Sequence, residues 1–210
     1  MMNTADFSDN PDVSNHERLQ SYVFDLPVQE LRRGYRSDIY FWREKRSLEE
    51  HGIDPEIIMQ VFQKNSGVIC GIDECLAVLK LASGRYSDYK KAYKLFDRYI
   101  DLKKDSRRYF HEDRKEYLSV LSERMEIGEE LDSLWIDEFP LLEILTLKDG
   151  ESISPWESVM HIKGKITSFA HLETIYLGIL ARRTKVATNV RRVVQAAAGV
   201  PVLYFPARFD

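Results

Sequence analysis

The sequence predicts an α/β protein in which helices pack on an antiparallel sheet. Three observations point there. Helical spacing with legible ends recurs, as in SDIYFWREKRSLEEHG at 37–52. Period-two alternation marks a stretch at 57–63 and others between 141 and 162. Between these lies a long, strongly charged run with an aromatic residue every three or four positions.

The bulk numbers bound the function. A chain of 210 residues makes one large domain or two small ones. A formal charge of −4 argues against a general nucleic-acid binder, which carries a basic excess. There is no apolar run of membrane-spanning length, and the polar start MMNTADFSDNPDVSNHERLQ is no signal peptide. The cytoplasm is the expected compartment. Cys70 and Cys75 are too few for a disulfide framework or a metal site and read as small buried hydrophobes.

Taken in order, residues 1–20 read as a disordered tail rich in Asp, Asn and Ser. In the helix at 37–52, Ser37 and Asp38 supply the cap and first-turn acid, and Gly52 the stop. Ile39, Tyr40, Trp42 and Leu48 form its expected apolar face. Ile57, Met59, Val61 and Gln63 alternate as a strand, KNSG at 64–67 is a turn, and IDECLAVLKLASGR is helical again. Residues 86–125, with Tyr89, Tyr93, Phe96 and Tyr99, read as an amphipathic helix pair whose charges form a solvated face. Strands follow at 141–147 and 159–162, separated by the Asp149-Gly150 turn and Pro155, with His161 half exposed. HLETIYLGILARR opens a long helix, apolar enough at Ile175, Leu177, Ile179, Leu180 and Ala181 to be buried. RTKVATN at 183–189, with β-branched Thr184, Val186 and Thr188, predicts an interruption in it. PVLYF at 201–205 reads as a final buried strand.

Periodicity carries no chemistry beyond this. There is no dinucleotide fingerprint, phosphate loop, zinc motif or nucleophile elbow. On spacing alone Tyr40 and Phe205 are core residues, Thr188-Asn189 is a helix cap and Arg208 a solvated tail residue. Arg182, Arg183, Lys185, Arg191 and Arg192 form either a solvated face or a phosphate-facing one.

The order of several short segments does carry a resemblance. They are Asp38-x-Tyr40, Gly67-Val-Ile-Cys-Gly71 before Leu76-Ala-Val-Leu, and Asp149-Gly150 with Pro155. Val159, Ile162 and Gly164 follow, then Leu172-Glu173-Thr174 and Ala187-Thr188-Asn189. Together they resemble the N-terminal portion of the nicotinate phosphoribosyltransferase family, from about Gly34 to Asp210. The resemblance implies an α+β N-terminal domain over 21–170, carrying a helical insertion at about 84–130. Residues 171–210 would then be a long helix and the first strand of an α/β barrel. The chain would be an N-terminal fragment, inactive and poorly soluble alone, because barrel active sites need the remaining strands.

It also implies a reaction: nicotinate and phosphoribosyl pyrophosphate give nicotinate mononucleotide in NAD biosynthesis, with ATP hydrolysis and Mg²⁺. The ligands for ATP and Mg²⁺, and the phosphorylated histidine, would lie beyond this chain. None of His16, His51, His111, His161 and His171 takes that role. In this reading Phe205 stacks on one face of the pyridine ring, and Tyr40 of a neighbouring subunit covers the other, which requires a homodimer. Arg208 lies beside the ring and the ribose phosphate, and Thr188 joins the substrate-binding set. The residue types suit a flat anionic ligand, since aromatic faces bury the ring and a guanidinium pairs with carboxylate or phosphate. Nicotinamide or quinolinate are the alternative substrates. Two non-enzymatic alternatives are a biotinyl-type carrier half-barrel with Lys163 or Lys165 as attachment site, and a helical interaction module built on 84–130.

Overall fold

The computed structural model describes residues 17–204. Helices α1 (Val28–Arg32) and α2 (Ile39–Glu50) lead into strand β1 (Glu56–Phe62). Then come β2 (Gly67–Val68), α3 (Ile72–Ala82) and β3 (Gly84–Tyr86). Helices α4 (Tyr89–Glu112) and α5 (Arg114–Leu134) form a long hairpin. After it the chain runs through β4 (Trp135–Asp137), β5 (Glu143–Thr146), β6 (Ser152–Ile153), β7 (Ser158–Lys165), α6 (Ile166–Phe169) and α7 (Glu173–Ala196). Helices and antiparallel sheets are mixed, as the periodicity predicts.

The main sheet has the order β1-β7-β5, antiparallel throughout, with Met59 opposite Ile162 and Ile162 opposite Ile144. Its inner face meets α3, whose Ile72, Cys75, Leu79 and Ala82 are wholly buried. That three- and four-residue spacing sets one stripe of the helix against the core. Asp149 caps α3 from outside: its carboxylate accepts from the backbone N–H of Ile72 at 2.8 Å, and Gly150 adopts φ 95° beside it. The Asp-Gly pair is therefore both a turn and a helix cap.

The α4–α5 hairpin is held apart from this core. Its own cluster is built on Tyr86, Ala92 and Leu131. Asp113 ends α4 and opens α5, accepting from the backbone N–H of Lys115 at 2.9 Å and of Glu116 at 3.2 Å. Strands β3 and β4 pair antiparallel at the root of the hairpin, Gly84 opposite Asp137 and Tyr86 opposite Trp135. The excursion thus leaves and rejoins the body through one two-stranded clasp.

Several expectations need correction. The 183–189 interruption does not occur, because α7 runs unbroken from Glu173 to Ala196. Nor is α7 buried all round: Tyr176, Leu180 and Thr184 face the core, while Val186, Val190, Val193 and Val194 are exposed. The strand at 201–205 is not formed over Pro201–Tyr204, where the chain is irregular and exposed; a strand needs a partner for its backbone groups. In α2, Ile39 and Tyr40 are exposed and the buried residue is Lys45. Cys75 is fully buried as expected, whereas Cys70 is only half buried. Of the expected 1–20 tail, residues 1–16 lie outside the described residues. Arg18 is already engaged, donating to Asp73 at 2.9 Å and to the Leu147 carbonyl at 2.8 Å.

Candidate functional site

Along its N-terminal half α7 borders a cleft of about 610 Å³, walled by Leu26, Pro27, Arg36, Thr174, Gly178 and Arg182 among others. The Asp25–Pro27 segment crosses from one side, and α7 lines the other. Gly178 faces open space, since a Cβ built there meets nothing within 4 Å. Two carboxylates, Asp25 and Glu74, and three guanidiniums, Arg36, Arg182 and Arg183, border the cleft. Arg183 donates to Glu74 at 2.9 Å, and Arg36 to Glu30 at 2.6 Å.

Tyr40 belongs to this side of the molecule. Its helix starts at Asp38, whose backbone N–H donates to the Thr174 hydroxyl, which in turn donates to the Asp38 carboxylate, each at 3.2 Å. This reciprocal pair ties the first turn of α2 to the start of α7, beside the cleft. The Tyr40 ring lies against Phe41, centroids 4.2 Å apart, and the side chain is 58% exposed. Crowding by neighbouring atoms, then the Asp38 and Glu173 carboxylates, hold its phenol above the ordinary value, so at neutral pH it is a hydrogen-bond donor.

Thr188 stands elsewhere. Its hydroxyl accepts from the backbone N–H of Val68 at 3.0 Å, and Gly67 sits beneath it so closely that a Cβ there would come within 2.6 Å of Oγ1. From Thr174 to Thr188 the helix advances about 21 Å, so Tyr40 and Thr188 occupy opposite ends of α7. Phe205 and Arg208 lie outside the described residues.

The cationic cluster divides. Arg183 is paired as above, Arg191 donates to the Gly150 carbonyl at 3.3 Å, and Arg182 borders the cleft. The candidate attachment lysines are strand residues. Lys163 is flanked by Ile58 and Glu143, and Lys165 ends β7 opposite Glu56, so neither stands at a hairpin tip.

The fold is similar to that of the nicotinate-nucleotide pyrophosphorylase of Pyrococcus furiosus, with a TM-score of 0.54 and 20% sequence identity. The match covers 90% of this chain but 35% of that one, so this chain spans about a third of its length. At that identity the likeness speaks for the fold. No protein-family model and no curated protein matches the sequence.

Sequence reasoning missed Arg36 and Gly178 as cleft residues, and Glu30 as the carboxylate that holds Arg36. The run RRGYR at 32–36 was the available signal, but nothing in it says which arginine meets Glu30.

A second polar centre is structural. Lys45, 3% exposed, donates to the Gly84 carbonyl at 2.7 Å and to the Thr167 carbonyl, and pairs with Glu49 at 3.3 Å. Fully buried His171 donates from Nε2 to the Ala82 carbonyl at 3.1 Å, leaving Nδ1 without a partner. Burial, and then the Lys45 ammonium, push its imidazole well below the ordinary range. Among the described residues no group of three or more His, Cys, Asp or Glu converges to hold a metal ion, and no helix is long and apolar enough to cross a membrane. These residues do not form a Mg²⁺ site.

Proposed function

We propose that this chain is part of a pyridine phosphoribosyltransferase of NAD biosynthesis, forming nicotinate mononucleotide from nicotinate and phosphoribosyl pyrophosphate with ATP hydrolysis, as a cytoplasmic homodimer. The fold likeness and the ordered motifs support this reading, and the presentation of Tyr40 carries it. An aromatic side chain 58% exposed on a helix pinned by Asp38 and Thr174 is costly to leave in water and rigid enough to act as a platform. In the proposed dimer Tyr40 covers the pyridine ring held against Phe205 of the partner, with Arg208 beside the ring and the ribose phosphate. Offset stacking contributes about 1 kcal/mol per good ring contact beyond the area buried. Phosphoribosyl transfer builds positive charge on the ribose and negative charge on pyrophosphate, so these groups act by holding the acceptor nitrogen in line with the anomeric carbon.

The test is nicotinate-dependent release of pyrophosphate from phosphoribosyl pyrophosphate by the whole protein. Tyr40→Ala should raise KM for nicotinate about tenfold, equivalent to ~1.4 kcal/mol, with no loss of folding stability. Release driven equally well by nicotinamide or quinolinate would shift the assignment to those substrates. No release with any of the three, or a Tyr40→Ala enzyme with unchanged KM, overturns the reading.

A further inference from the structure

We infer that a second ligand site lies on the other side of the Asp25–Pro27 segment, between α1 and the α4–α5 hairpin, and that it takes a nucleoside diphosphate. A cleft of about 600 Å³ opens there, bordered by Gln29, Glu30, Arg36, Tyr99, Lys103 and Arg124. It adjoins a smaller recess of about 210 Å³ that shares Glu30, Arg36 and Lys103 and extends to Lys104 and Arg107. Tyr99, Lys103 and Arg107 recur at four-residue spacing, which sets them in line along one face of α4, about 12 Å from end to end.

Each end of this line asks for a different chemistry. At one end Glu30, itself 3% exposed, accepts from Lys103 and from Arg36 at 2.6 Å, fixing two cations that would otherwise move freely. Burial would raise the Glu30 carboxyl, but its two cationic partners outweigh that and hold it below the ordinary range, so it stays ionised. Arg107 has no carboxylate within ion-pair distance among the described residues. Counting both recesses, five cations border them, against the carboxylates Asp25 and Glu30 and the adjacent Asp101, which pairs with Lys104 at 2.9 Å. The excess favours an anion of more than one charge, and guanidinium favours phosphate oxygens.

At the other end the half-buried Tyr99 presents a ring with the Arg124 guanidinium over it, 5.5 Å from the centroid. A base stacks on such a pair. On the same wall the buried Gln29 donates through Nε2 to Asp132 at 2.8 Å, while its Oε1 has no donor. A ring platform and a row of cations in line over that length suit a nucleoside diphosphate. Arg36 also borders the α7 cleft, so occupancy here bears on that cleft through one side chain.

The inference stands apart from the transferase reading, and its test does too. Calorimetric titration of the whole protein with ADP, without added metal, should show one saturable ADP per chain that is lost with changes in this cleft, over and above any ADP held where ATP is hydrolysed. The double variant Arg107→Ala/Arg124→Ala should weaken it at least tenfold, and Tyr99→Leu, which keeps an apolar side chain on α4, by several fold. Inorganic pyrophosphate should bind about tenfold more weakly than ADP, for want of the ring. Nicotinate-dependent turnover without ADP should be unchanged in both variants. Absence of saturable ADP binding, ADP binding unaltered in the double variant, or pyrophosphate binding as tight as ADP would each overturn the assignment.

Discussion

The Thr184 hydroxyl accepts from the backbone N–H of Cys70 and donates to the Cys70 carbonyl, each at 3.2 Å. One turn on, Thr188 accepts from Val68. The two threonines therefore stitch α7 to the short segment that enters α3. A hydroxyl supplies both donor and acceptor, which is why threonines rather than valines stand at these positions.

Thr184→Val keeps the shape and removes the hydroxyl, leaving both Cys70 backbone groups unpaired in a buried setting. We expect a loss of about 1–3 kcal/mol, read by urea unfolding, and near-full recovery in Thr184→Ser. A Thr184→Val protein as stable as the parent would show that water replaces the bond.

Gly67 and Thr188 should be coupled. Gly67→Ala drives a methyl against the Thr188 hydroxyl and should destabilise by about 1–3 kcal/mol. Adding Thr188→Ala should restore part of that loss, giving a double-mutant coupling energy of at least 0.5 kcal/mol. Strict additivity would mean the contact relaxes freely.

Stability should fall in acid because of His171. Its folded-state pKa is depressed, so below about pH 6.5 the unfolded chain takes up a proton that the folded chain refuses. The contribution is present in full above about pH 6.5. It declines by up to ~1.4 kcal/mol per pH unit as pH falls toward the folded pKa. His171→Asn keeps a donor for Ala82 and cannot titrate, so unfolding midpoints measured from pH 7 to 5 should decline less steeply than in the parent. Equal slopes would sink this account.

Gly178→Ala should not harm the fold, since the added methyl meets nothing. Relieving a mid-helix glycine should instead stabilise α7 by about 0.5–1 kcal/mol. Gly178→Leu would fill the α7 cleft, and a ligand of that cleft should then bind more weakly while the thermal unfolding midpoint does not fall.

Much of the fold was legible in the residues. Alternation at Ile57–Gln63 and in Val159–Ile162 marked the strands, and the aromatics from Tyr89 to Tyr99 marked the inner face of the hairpin. RTKVATN misled for a physical reason: β-branched residues lower helix propensity by only tenths of a kcal/mol, and three tertiary hydrogen bonds outweigh that. The apolar reading of α2 failed similarly. Lys45 is buried because three oxygen acceptors surround it, and those acceptors come from β3, α6 and its own helix.

By itself the sequence determined the elements, their order and the mixed class, because the periods of strand and helix are local properties of the chain. Only the tertiary structure decided where the polar groups go. It set Thr188 on the backbone of Val68, buried His171 beside Lys45, left Tyr40 in the open and gathered Arg36, Glu30 and Lys103 into one cluster. Hydrogen bonds and charges act across tens or hundreds of residues of separation, and no periodicity in the chain records which partner a side chain will meet.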